Sequence, residues 1–300
     1  MKKAFVLLIC IIFLAGCSSK VKEAETIDSY TEKEEIVFDL TVEAETGVNT
    51  YSLFKMMDED KDDTYKIGVP LEEITEDIEN DRADIYCINY ETAKRYDSKL
   101  KIISVNAMNN IYMVHNGLKF ESVRQFSDKK IYLLDRRTDR KLLETAVKYY
   151  SIEEELDIEY LDSYEEIYDR IMTEEDVVAI IQQPYISFLE HRNENIQIVM
   201  DLTDLWQKAN NQSNIVTDCI AVDRTVYEEK KDMIDKYIGV LYSYSNYVYK
   251  NPEQYLELIK KYDSSNYIED MEKELSSFGF AFLKDNILDE AVSLFEKELE

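Results

Sequence analysis

Arg136 and Arg137 stand together in Leu133-Leu134-Asp135-Arg136-Arg137-Thr138-Asp139, which reads as a strand end, a short loop and a helix start with Thr138 or Asp139 as N-cap. Guanidinium groups beside the unpaired N–H groups of a helix start would hold a carboxylate, sulfonate or phosphate through charge-assisted hydrogen bonds. The same residues support a second reading, in which Asp135 and Asp139 close them into surface ion pairs worth at most about 1 kcal/mol each. Acids are plentiful, since the 300 residues hold 63 Asp and Glu against 35 Lys and Arg, a formal charge of −28. That field repels phosphate backbones and argues against nucleic acid as a partner.

Little other chemistry is on offer. Two histidines, His115 and His191, and four cysteines are too few for a His/Cys zinc centre or a disulfide scaffold, so no metal and no cofactor are expected. With six glycines there is no G-x-G-x-x-G or P-loop, and no G-x-S-x-G elbow. Cys87 and Cys219 lie inside apolar runs, where thiols are usually inert. No catalytic residues are expected, and the chain reads as a non-enzyme.

The elements that would position these groups follow from hydrophobic periodicity. Short apolar or alternating runs predict strands at Ile36–Val42, Tyr65–Val69, Asp84–Ile88, Lys101–Val105, Ile111–Val114, Lys130–Leu134, Leu156–Leu161, Val177–Ile181, Ile196–Val199 and Asp218–Val222. Helix-length patterns separate most of them, which predicts an α/β protein with largely parallel sheets. An internal echo at an offset of 93 pairs Leu71-Glu72-Glu73-Ile74 with Tyr164-Glu165-Glu166-Ile167, and Ile85–Ile88 with Val178–Ile181. The spacing suits two similar α/β lobes. Beyond Val222 the pattern turns helical: Thr225–Tyr249, a start at Asn251-Pro252-Glu253, and a closing amphipathic helix over Lys284–Glu300. The many tyrosines there read as core and interface.

Lys2 and Lys3, the apolar run Ala4–Ala15 and then Gly16 and Cys17 form a secretory signal pattern, too short to span a bilayer. Leu14-Ala15-Gly16-Cys17 resembles the bacterial lipobox, which implies cleavage after residue 16 and a Cys17 acylated with palmitate. Residues 17–35 read as a polar tether, anchoring the body to the extracytoplasmic face of the cell membrane.

Several segments in order resemble solute-binding proteins of ABC importers with the type II periplasmic-binding-protein fold, in the nitrate, sulfonate and thiamine-precursor branch. They are Arg82-Ala83-Asp84-Ile85, Lys101–Val105 with Ile111–Val114 and Asn116-Gly117, Val123–Ile131, Ile196–Trp206, and Asn251-Pro252-Glu253 with Ile259–Tyr262. The resemblance implies a monomer with lobe one at 36–114 plus 217–300, lobe two at 115–210, and hinge crossovers near 111–117 and 210–217. It implies a cleft that closes on a small-molecule solute, and an ABC permease as partner. By position it places ligand contacts at Gly47, Asn49 and Thr50; at Asn89 and Tyr90; at Arg136, Arg137 and Thr138; at Gln183 and Tyr185; and at Thr217 and Asp218. Relatives carry small residues in the first and third of these loops; here the third holds two arginines. The resemblance also sets the strands of Cys87 and Cys219 side by side, where two reduced thiols are expected, since a disulfide between adjacent strands demands unfavourable geometry. Two other readings stay open: a lipoprotein of this fold serving as a sensor or partner-binding module, and an enzyme like the thiamine-pyrimidine synthases.

Overall fold

The computed structural model describes residues 38–60, 64–244, 246–263 and 274–300. The stretch expected as signal peptide, Cys17 and the expected tether lie outside the described residues. In chain order the strands are β1 (Thr41–Glu45), β2 (Thr64–Val69), β3 (Ile85–Asn89), β4 (Leu100–Met108), β5 (Ile111–Asn116), β6 (Lys130–Leu134), β7 (Asp157–Leu161), β8 (Val177–Gln182), β9 (Ile196–Asp201), β10 (Val216–Asp223) and β11 (Phe280–Leu283). They form two sheets, ordered β11-β4-β10-β3-β1-β2 and β7-β6-β8-β5-β9.

Leaving aside β11, the sheets repeat one plan. β3 and β8 sit centrally and are buried along their whole length, because helices cover both faces and only apolar runs such as Ile-Tyr-Cys-Ile and Val-Val-Ala-Ile-Ile tolerate that. β1 runs parallel to β2 and β3, as β6 does to β7 and β8. β10 is then inserted antiparallel between β3 and β4, as β5 is between β8 and β9. The sheets are therefore mixed rather than largely parallel: each is entered by one strand crossing over from the other half. The echoed segments occupy equivalent places. Ile74 and Ile78 of helix Leu71–Glu79 bury against the first sheet, and Ile167 and Ile171 of helix Tyr164–Thr173 against the second.

The forward crossover differs from expectation. Ile111 opens β5 opposite Gln182, so residues 111–114 belong to the second sheet and the forward crossover is Asn109-Asn110. There Asn109 adopts a left-handed φ of 57° and its side chain binds the returning chain, Nδ2 donating to Asn214 (2.8 Å) and Oδ1 accepting from the Ile215 N–H (2.8 Å). The first described strand starts at Thr41, after residues 38–40 outside any strand; Ile36 and Val37 of the expected run lie outside the described residues. The 225–249 segment breaks into Arg224–Glu229, Lys231–Tyr244 and Tyr247–Lys250. Asn251 precedes helix Pro252–Tyr262 without a side-chain capping bond. The closing helix Asp285–Leu299 bridges the halves, placing Leu288, Phe295 and Leu299 in one cluster with Trp206 and Leu142 of the second half and Val105 of the first.

β11 was not legible as a strand, being four half-buried residues that pair only with β4. Cys87 faces Ile220 and Cys219 faces Ile88 across the β3–β10 ladder. Facing residues share a side and consecutive ones alternate, so the two thiols point to opposite faces of the sheet. Both are free and buried.

Candidate functional site

The strand ends of both sheets border two spaces that share no lining residue. The larger is a cleft of about 570 Å³, lined from the first half by Thr46, Gly47, Thr50 and Tyr51 after β1, Ile67-Gly68 on β2, and Tyr262-Asp263. The second half contributes Glu165, Tyr168 and Asp169 from helix Tyr164–Thr173, and Tyr185, Phe188 and Arg192 from helix Tyr185–Arg192. Gly47 is needed where the chain turns, since its φ of 93° is costly for other residues and Pro184 and Tyr185 lie close by. Glu165 links the halves at the cleft wall: its Oε1 accepts from the Thr46 hydroxyl (2.8 Å) and the Tyr185 hydroxyl (2.6 Å). Burial, with Glu165 nearby, holds the Tyr185 phenol well above its ordinary pKa, so it stays a donor.

The second space, a chamber of only about 10 Å³, is lined by Asn89, Glu91, Arg136, Thr138, Asp139, Tyr164, Gln182 and Thr217 among others. That is room for about one water. The Tyr164 and Tyr185 rings, 5.5 Å apart, stand between the two spaces, and the Arg136 guanidinium lies over the Tyr164 ring at 5.0 Å. The guanidinium reaches Glu45 of β1 at 3.8 Å. Burial works against its charge, but Tyr164, Glu45, Asp139 and Asp218 outweigh that and favour the cation. Burial pushes Asp218 up to about 7, with the Glu45 charge adding to the effect. Burial likewise raises Asp139 to about 7, against the pull of Arg136. Asp139 Oδ1, Asp218 Oδ2 and the Tyr164 hydroxyl have no hydrogen-bond partner.

The expected contact residues divide accordingly. Gly47, Thr50 and Tyr185 line the large cleft, while Asn89, Arg136, Thr138 and Thr217 line the small chamber. Five others do something else. Asn49 Nδ2 donates to Asp218 Oδ1 (2.7 Å) in a pair lining neither space. Tyr90 is turned to the C-terminal helix, its hydroxyl on Glu296 at 2.6 Å. Arg137 pairs with the same Glu296, also at 2.6 Å. Gln183 Nε2 donates to Ser277 (2.9 Å) and its Oε1 accepts from Ser187. The helix Arg137–Tyr150 takes Arg136 as its N-cap residue, two residues before Thr138 and three before Asp139, the expected caps, and has no side-chain cap on its own chain segment. Its first N–H groups, those of Arg137 and Thr138, donate instead to Glu91 from the first half (2.9 and 2.5 Å). The anion position at that helix start is thus filled by the chain's own carboxylate, and Asp135 pairs with Arg140 rather than with either expected arginine.

Sequence reasoning missed Tyr51, Glu165, Tyr168, Asp169, Phe188, Arg192, Tyr262 and Asp263. A signal was present: Tyr185, Phe188 and Arg192 are spaced i, i+3, i+7, and Glu165 with Tyr168 and Asp169 i, i+3, i+4, so each set marks one helix face.

Two α/β halves of common plan, joined by two crossovers and meeting at their strand ends, define the type II periplasmic-binding-protein fold. Solved structures of that fold superpose on nearly the whole chain. An ABC transporter protein from Parabacteroides distasonis aligns at TM-score 0.68 and 13% identity over 88% of this chain and 92% of its own. The periplasmic aliphatic sulphonate binding protein SsuA from Escherichia coli aligns at 0.65 and 10%, over 87% and 90%. The ligand-binding component of an ABC-type import system from Staphylococcus aureus, solved with zinc bound, aligns at 0.64 and 12%, over 87% and 91%. At such identities the likeness is one of fold. No family model matches the sequence, and no curated protein does. Among the described residues no helix is long and apolar enough to cross a membrane, and no three His, Cys, Asp or Glu side chains are grouped to hold a metal ion.

Proposed function

We propose that this chain is the extracytoplasmic solute-binding component of an ABC importer, held to the membrane by an acylated Cys17 and acting as a monomer without catalysis. The observation that carries the reading is the cleft of about 570 Å³, walled by both sheets' helices and loops. Its size is that of a small-molecule site, and it lies outside the carboxyl ends of the strands, where open α/β sheets bind ligands. Lobe one is taken as the first sheet with its helices, lobe two as the second, with Asn109-Asn110 and Ser213–Ile215 as the hinge. A solute touching both walls stabilises the closed arrangement over the open one and so presents a distinct shape to a permease. Native mass spectrometry of protein purified without denaturation, with small-angle scattering before and after dialysis, tests this. A co-purified solute whose removal expands the particle is the expected result. A protein that carries no solute, and whose dimensions no metabolite panel changes, is not a receptor.

A further inference from the structure

Building on the receptor reading, we infer that the cleft selects an organic cation, one whose charge sits on an apolar or methylated centre, rather than an anion. The lining charges point that way. Among the described residues, Glu165, Asp169 and Asp263 face the cleft against one cation, Arg192, whose guanidinium is committed to the Tyr168 hydroxyl at 2.8 Å. An anion entering here would lose its water and meet an excess of negative charge. Glu165 is held for the purpose, one oxygen fixed by hydroxyls from both halves.

The rest of the wall decides which kind of cation. Tyr51, Tyr168, Tyr185, Phe188 and Tyr262 line the space, and two of these rings already draw cations of the chain itself, Arg192 over Tyr168 at 5.8 Å and Lys261 over Tyr262 at 4.7 Å. Aromatic faces attract a large, weakly hydrated cation that can shed its water, and do little for a small, strongly hydrated one. The carboxylates are also spread rather than gathered, since no three of them form a group that could hold a metal ion. A dispersed negative rim with π-faces between suits a diffuse ammonium charge on a body of several carbons. Arg136 does not reverse the preference. It lies behind the Tyr164–Tyr185 pair in a chamber of about 10 Å³, with Glu45 and Asp139 already beside it. The field of the whole chain, at −28, draws cations inward as well.

The test uses mature protein extracted from membranes in mild detergent. Thermal melting and calorimetric titration are run with benzyltrimethylammonium, tetramethylammonium, benzenesulfonate and zinc chloride, on wild type and on Glu165→Gln and Tyr168→Ala. Each variant's own melting temperature is recorded first, and Glu165→Gln, which keeps the side chain's shape, serves if Tyr168→Ala melts early. Benzyltrimethylammonium is expected to bind most tightly, with dissociation constants raised about tenfold in Glu165→Gln and in Tyr168→Ala. Tighter binding of benzenesulfonate or of zinc overturns the inference, as does ammonium binding that both variants leave unchanged, or no ammonium binding at all. The two readings fail separately. An anionic or neutral solute found in the native mass spectrum refutes the cation site while the receptor stands; a protein with no solute and no compaction loses both.

Discussion

Asp218 offers a sharp test of how the buried charges around Arg136 are balanced. Its carboxyl is fully buried, with Oδ1 on Asn49 and Oδ2 without a partner, and its pKa is raised from an ordinary 3.8 to about 7, first by burial and then by Glu45. A folded pKa above the unfolded one means that the native state binds more protons between those values. Stability therefore falls as pH rises from about 4 to about 7 and levels off above that. The shift of about 3 units at 1.36 kcal/mol each sets a ceiling of roughly 4 kcal/mol. Asp139, also raised to about 7 by burial, has Arg136 as a neighbour in common with it. Asp218→Asn cannot ionise, and its amide oxygen can still accept from Asn49. Because Arg136 also loses a carboxylate neighbour, about half the ceiling is the expected gain: at pH 8 the variant is more stable than wild type by about 2 kcal/mol, or about 4–8 °C in melting temperature. At pH 5 the gap should shrink to under about 1 kcal/mol, because the unfolded carboxyl is already mostly ionised there while the folded one still holds its proton. Urea unfolding at half-unit steps from pH 5 to 8 reads the difference. A variant no more stable at pH 8, or a gap that does not change with pH, would refute the reasoning.

Glu91→Ala strips the carboxylate from the start of helix Arg137–Tyr150 and should cost about 1 kcal/mol while loosening the two halves, read by urea unfolding and a larger scattering radius. Gly279 has a φ of 73°, and a Cβ there would run into the Met108 carbonyl, so Gly279→Ala should lose about 3 kcal/mol in urea unfolding by unseating β11. Cys87 and Cys219 should both be slow toward a thiol reagent in the native state and both react in urea, with intact mass unchanged by reductant, since burial raises both thiols' pKa values. Cys17→Ala should move the protein from the detergent to the aqueous phase on partition; unchanged partition after the same processing refutes the anchor.

What the sequence revealed tracks how local the signal was. β3 and β8 announced themselves because strands buried on both faces must be apolar throughout, and the echo at 93 residues survived because Ile74, Ile78, Ile167 and Ile171 pack against their sheets in the same way. β11 stayed hidden because four residues carry too little periodicity, and its pairing with β4 joins segments some 170 residues apart. The site was half legible. The loops after β1 and β8 were placed by resemblance, but the aromatic and acidic wall comes from helix faces whose spacing equally describes ordinary core packing. The two arginines misled for a physical reason: a helix start invites an anion, and the anion that fills it, Glu91, lies 46 residues earlier in sequence.

The place of β10 has a consequence for how such a chain is made. The second sheet is built from residues 111–201 without interruption, so all its strands are present once Asp201 has been added. The first sheet has no such continuity. β3 and β4 are never each other's neighbours, and the gap between them is filled only when Val216–Asp223 arrives, more than a hundred residues later. Until then the early strands have exposed edges and few partners, a costly state for a chain to hold. The middle of the sequence is thus the part able to take shape first, and the amino-terminal strands wait for the late segment that completes their sheet.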